Sequence, residues 1–225
     1  MAKHHIIISG TGRAGTTFLI QLLTALGLET GFTDLTAAVD ANCHAGMEWD
    51  LRHADAPYVI KSPWLCDYLG EVLERTEIVI DHAIIPVREL YAAAESRRDV
   101  TRRTPPALYA GAIPGGLWYT DDPQQQETVL ATQLYKIIYT VAKRDIPLTL
   151  LYFPRLIHDP AYLYGKLAAL VPGMSYEGFR NVFQQVVHPE FVHEFRHAPE
   201  GWRLVRHLLR RLLGRPLQGP AGGNV

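Results

Sequence analysis

The sequence predicts a three-layer α/β domain with a central parallel sheet flanked by helices, and three observations predict it. The β-branched run from His4 to Ser9 passes directly into Gly10-Thr11-Gly12-Arg13-Ala14-Gly15-Thr16-Thr17. Apolar residues then recur at helical spacing through Phe18, Leu19, Leu22, Leu23 and Leu26, with Gly27 placed to end that helix. Strand, glycine turn and helix form the opening unit of a parallel sheet, whose strands read as continuous apolar runs because both faces are covered. Third, short apolar runs alternate with helical patterns along the rest of the chain. The 225 residues, 48% hydrophobic and 20% charged, suffice for one domain with a proper core.

The elements follow in order. Tyr58 to Lys61 is a second short strand, and Pro63 opens a helix to about Leu73. A third strand lies within Ile78 to Val87, chiefly in its later half from His82. Glu89 to Arg98 reads as a helix, which the Pro105-Pro106 pair must end. Residues 104–124 form a long loop with Trp118 and Tyr119, of the kind that often covers a substrate. Gln125 to Lys143 is a long helix and Leu148 to Phe153 a fourth strand. Helices are expected from Asp159-Pro160 to Leu170 and from about Ser175 to Val187. The domain is assigned to residues 1–200. Residues 201–225 carry a basic amphipathic helix (202–213, with Arg203, Arg206, Arg210 and Arg211 among leucines) and a Gly/Pro-rich tail. Packing on the domain is favoured for that helix over peripheral membrane contact.

Composition excludes some classes of partner. A formal net charge of −1 calls for no nucleic acid. No apolar run reaches the length of a membrane span, and no secretory signal is evident, so a cytoplasmic location is expected. Cys43 and Cys66 have no metal-ligand spacing and are expected as reduced thiols.

The glycine turn carries the first chemical signal. Free amides at a helix start, with the positive end of the helix dipole, bind phosphate. Gly10, Gly12 and Gly15 supply backbone freedom, and the Thr16 and Thr17 hydroxyls supply donors. The competing reading is a glycine turn that merely joins strand to helix. The nucleotide-triphosphatase loop GxxxxGK[ST] would need a lysine where Thr16 stands, so the β/γ-phosphate clamp of an ordinary kinase is missing. A second anion site is suggested by Arg88, at the end of the third strand, and Ser96, eight positions on in the next helix. Taken alone, that pair is also common in helices of no special function.

GTGRAGTTFL resembles the 5′-phosphosulfate loop of sulfotransferases that use 3′-phosphoadenosine-5′-phosphosulfate (PAPS), and Arg88 with Ser96 is similar to that family's Arg-(x)7-Ser 3′-phosphate site. The likeness is to bacterial-type members and runs thinly over residues 6 to about 190. It implies a P-loop NTPase-like fold, PAPS as co-substrate without a metal, and sulfuryl transfer to a hydroxyl or amine of a small-molecule, glycan or lipid acceptor. It also implies a nucleotide grip by Gly12, Arg13, Ala14, Gly15, Thr16, Thr17, Arg88 and Ser96. Tyr58-Val59-Ile60-Lys61-Ser62-Pro63 is similar to the family's strand motif, which implies that Lys61 stabilises charge on the leaving phosphate; a surface lysine is the alternative. Where some members place a catalytic histidine this chain has Pro63, and Pro154 replaces a common acidic position. Other members use a glutamate in the segment after the first helix, which implies Glu48 as the first choice of base, with His44 and Asp50 behind it; an exposed loop carboxylate is the alternative. Trp49, Trp64, Trp118 and Tyr119 are candidates for an aromatic acceptor wall. Two rival functions stay open: a divergent P-loop kinase or NTPase, with Asp81 as metal ligand after Glu77-Ile78-Val79-Ile80, and a non-catalytic nucleotide-binding protein.

Overall fold

Consecutive isoleucines in a strand point alternately to its two faces, so a run of three needs apolar cover on both. In β1 (Lys3–Ile8), Ile6 and Ile8 enter one apolar cluster and Ile7 another. The computed structural model describes residues 2–36, 38–105, 108, 111 and 113–195. Beside β1 run β2 (Val59–Lys61), β3 (Ile78–Val87) and β4 (Leu148–Tyr152), all parallel, in the order β2-β1-β3-β4. The alternation holds across the sheet, with Val59, Ile84 and Leu151 on the first face and Ile60, Ala83 and Ile85 on the second. Helices α1 (Thr16–Ala25), α6 (Pro160–Leu167) and α7 (Tyr176–Val186) cover the first face. Helices α2 (Leu65–Val72) and α4 (Gln126–Lys143) cover the second, and α3 (Leu90–Arg103) packs on α4. This is the three-layer α/β fold that the sequence predicts.

Helix α1 ends in a Schellman turn. Leu28 N–H donates to Leu23 O at 3.0 Å and Gly27 N–H to Thr24 O at 2.9 Å, with Gly27 left-handed at φ 87°. A Cβ at Gly27 would meet no atom within 4 Å, so only backbone strain opposes one. Gly27→Ala is expected to cost about 1 kcal/mol in urea unfolding, with an unchanged m-value.

The structure corrects several boundaries. β3 begins at Ile78, four residues before the predicted half, because Asp81 is an extra residue in a bulge opposite His5 and Ile6. Its carboxylate accepts from His4 Nδ1 at 2.7 Å and Tyr58 Oη at 3.3 Å. Asp81 thus stands six residues before the end of β3, roughly 20 Å at 3.3 Å per residue, and cannot hold a metal at the glycine loop. α3 continues to Arg103 before Pro105 stops it, and the short α5 (Arg155–His158) was not expected. Cys43 is buried and Cys66 half-buried, both as free thiols. The expected basic helix at 202–213 lies outside the described residues. Among those described, no helix is long and apolar enough to cross a membrane.

Burial has a pH consequence. His5, 2% exposed with Nδ1 2.7 Å from Pro57 O, and the half-buried His82 are both held below the ordinary histidine value by desolvation. The unfolded chain therefore takes up protons first as pH falls, so their share of stability is full above about 6.5 and is lost through the lower folded values. Melting temperature should fall between pH 7.5 and 5. His5→Asn, which keeps a donor toward Pro57 O, should flatten that slope.

Candidate functional site

The loop between β1 and α1 turns tightly because its backbone is left-handed at Gly12 (φ 64°), Arg13 (φ 55°) and Gly15 (φ 85°). For Arg13 this is an uncommon conformation, which the surroundings must enforce. Gly12 also leaves room for Arg97, whose Nη2 a Cβ there would displace. Among the described residues, the amides of 11–18 find no protein acceptor. They gather at the start of α1, where the helix dipole adds positive potential.

Three guanidiniums converge on this loop. Arg13 Nε donates to Ser96 Oγ at 3.1 Å, and its Nη1 donates to Cys43 O. Arg88, just past β3, donates to Arg13 O at 2.7 Å and to His193 O at 2.5 Å, with the Phe153 ring 4.8 Å from its carbon. Its position is fixed by the next residue, since Glu89 caps α3 by accepting from Tyr91 N and Ala92 N. Arg97 donates to Thr11 O at 2.8 Å and Gly116 O at 2.8 Å and lies over Trp118. Among the described residues none of the three forms an ion pair with a carboxylate. Burial lowers the pKa of each, and the charge of Arg13 lowers Arg88 and Arg97 further. Arg88 and Arg97 are buried and Arg13 half-buried, and among the described residues their hydrogen bonds go to neutral oxygens, a desolvation cost that a polyanion between them would relieve.

Lys61 closes β2, is 3% exposed, and uses all three of its protons. It donates to Thr17 Oγ1 at 3.2 Å, Gly46 O at 2.6 Å and Glu48 Oε1 at 2.5 Å. Burial pulls the ammonium below its ordinary value and the Glu48 carboxylate works against that. The surface-lysine alternative is thereby removed.

One cavity of about 750 Å³ is lined by Arg13, Thr16, Thr17, Lys61, Arg88 and Ser96 together with Gly12, Gly15 and Glu48. Ala14, fully buried, turns inward to the core and can offer only its backbone. Of the alternative bases, His44 lines the same cavity, stacks on Phe191 at 4.0 Å and is held below the usual histidine value by burial and Arg13. Asp50 is instead held by Arg52 at 2.5–3.1 Å on the exposed side. Trp64 and Trp118 line the cavity. Trp49 is not in that wall and packs against Phe32, while Tyr119 points out to Asp67. The long loop contributes Ile113, Pro114, Gly115 and Leu117.

From sequence, Arg97, Arg98, Arg102 and Arg103 extend the positive charge beside Arg88 and Ser96, most of them on a solvated face; the structure buries Arg97 and leaves the other three half-buried or exposed. The phase of Arg97 was visible: Ala93, Arg97, Val100 and Thr104 are all buried at helical spacing.

The fold and the site define an α/β protein with a cavity lined by Arg13, Lys61, Arg88 and Arg97 at the carboxyl ends of its strands. No protein-family model matches the chain, and no curated relative matches it. Among solved structures it is similar to the sulfotransferase domain from the Synechococcus PCC 7002 olefin synthase, at 15% identity over 98% of this chain and 90% of that one, with a TM-score of 0.47.

Proposed function

We propose that this chain is a sulfotransferase that takes a sulfuryl group from PAPS and delivers it to a hydroxyl or amine, leaving adenosine 3′,5′-bisphosphate. The observation that carries the reading is the convergence of Arg13, Arg88 and Arg97 with the free loop amides in one cavity. A nucleotide with phosphate at both ends supplies the separated negative charges that such an array requires. The co-substrate brings an activated S–O bond, so the chain needs no metal of its own for this chemistry.

The residues then have distinct tasks. The amides and threonines of the loop hold the 5′ end, and Arg88 with Ser96 holds the 3′-phosphate. Arg13, donating to Ser96, links the two ends. Lys61, anchored through Thr17 to the same loop, is poised to stabilise charge on the departing phosphate oxygen. Glu48 lies next to Lys61 in the cavity and accepts the acceptor's proton as the new bond forms. Positioning and charge stabilisation account for the rest.

The kinase alternative loses support because Asp81 is remote and Thr16 replaces the loop lysine. A thermal-shift comparison separates the readings. Adenosine 3′,5′-bisphosphate without metal is expected to raise the melting temperature by several degrees, as ligand at 100 times its Kd contributes about 2.7 kcal/mol. Stabilisation by Mg·ATP alone would instead favour the kinase. Binding without turnover of PAPS would favour a non-catalytic role.

A further inference from the structure

We propose that Arg97 is a positioning residue that ties occupancy of the phosphate loop to the shape of the facing cavity wall at 116–118. On one side its Nη2 and Nε reach Thr11 O at 2.8 and 3.3 Å, and Gly12 must lack a side chain to let the guanidinium lie so close. On the other side its Nη1 holds Gly116 O at 2.8 Å while its plane covers Trp118 at 4.8 Å.

Behind the wall, two side chains hold it among the described residues. Thr101 Oγ1, one helical turn beyond Arg97 on α3, accepts from Leu117 N at 2.8 Å. The fully buried Gln126 accepts from Trp118 N at 2.7 Å and donates to Trp118 O at 3.4 Å. Arg97 alone, among the described residues, joins this wall to the phosphate loop by side-chain hydrogen bonds. A planar fork is suited to that bridge, because one rigid group spans two carbonyls at fixed angles. An anion seated on the loop amides fixes Thr11, Thr11 fixes the guanidinium, and the guanidinium fixes Gly116. Trp118 lines the cavity, so the bridge preorganises the acceptor side whenever the donor side is filled.

This inference rests on the proposed function for the meaning of the wall, but on geometry alone for the coupling, and the test separates the two. Hydrogen exchange of the full chain is followed with inorganic pyrophosphate, which offers the loop an anion and has no adenosine to reach the wall. Adenosine 3′,5′-bisphosphate is run in parallel. At 100 times Kd, exchange through a shared opening should slow roughly 100-fold both at 11–18 and at 116–118. In R97K, which keeps the charge and loses the two-carbonyl fork, the anion should protect 11–18 alone. Protection confined to 11–18 in the natural chain, or joint protection surviving in R97K, would overturn the proposal. Should R97K fail to fold, the pyrophosphate result on the natural chain decides. Joint protection by pyrophosphate with no binding of the nucleotide would uphold the bridge while removing the PAPS reading. Absence of any protection at the loop would remove both.

Discussion

Arg88→Ala is expected to raise the dissociation constant for adenosine 3′,5′-bisphosphate by about 10²–10⁴-fold while the free chain stays folded. Hydrogen bonds to charged groups contribute roughly 1.5–3 kcal/mol each, and a fork on one phosphate makes two. At 1.4 kcal/mol per decade, that sum reaches the stated range. The free chain is less affected because two effects oppose. Removing the guanidinium loses the bonds to Arg13 O and His193 O and the contact with Phe153. It also removes a buried cation that Arg13 repels, which burial alone already disfavours. The expected change in melting temperature is therefore small. Calorimetric titration checks the affinity, with Arg98→Ala as control, since Arg98 is engaged by Glu95 and Glu127. A loss under about tenfold at Arg88 would reject its place on a phosphate, and an equal loss at Arg98 would point to general charge instead.

Glu48→Gln should lower transfer from PAPS by about 10²–10⁴-fold, the range for removing a general base, with nucleotide affinity changed only a few-fold. Glutamine keeps an acceptor for Lys61 and cannot take a proton, so geometry is retained and basicity lost. The Lys61 ammonium then keeps only neutral partners, and a stability loss of about 1–3 kcal/mol should accompany the kinetic effect. Release of adenosine 3′,5′-bisphosphate, driven by whichever acceptor the natural chain turns over, measures the rate. A variant retaining most of its activity would transfer the role to His44, which shares the cavity. Lys61→Met offers the complementary test, since it should impair transfer and stability together by leaving Gly46 O and Glu48 without their shared donor.

How much of this was legible depended on whether the signal was local. The glycine loop between β1 and α1 announces itself because turn, strand and helix start are contiguous in the chain, and β-branched residues on one side meet helical spacing on the other. Arg88 was legible for the same reason, as it follows directly on an apolar strand. The opening half of β3 was hidden by Asp81, a charged residue that fits a strand because it bulges out opposite β1. The pairing of Lys61 with Glu48 spans thirteen positions through an irregular segment, and periodicity cannot foresee which carboxylate such a segment turns inward. Asp50, two residues away, has the same chemistry and a different fate, set by Arg52. Arg97 shows the opposite case, where helical phase held the answer and composition concealed it. Four arginines within seven positions of α3 suggest a wetted surface, yet one of them is the best-buried arginine of the site.

Every strand runs the same way, so Arg13, Lys61, Arg88 and Phe153 all emerge at one rim of the sheet. The opposite rim carries the reversals at 74–77 and 144–147, none of which lines the cavity. Evolution can therefore rewrite that far margin, lengthening or shortening it, without disturbing the electrostatics across the sheet.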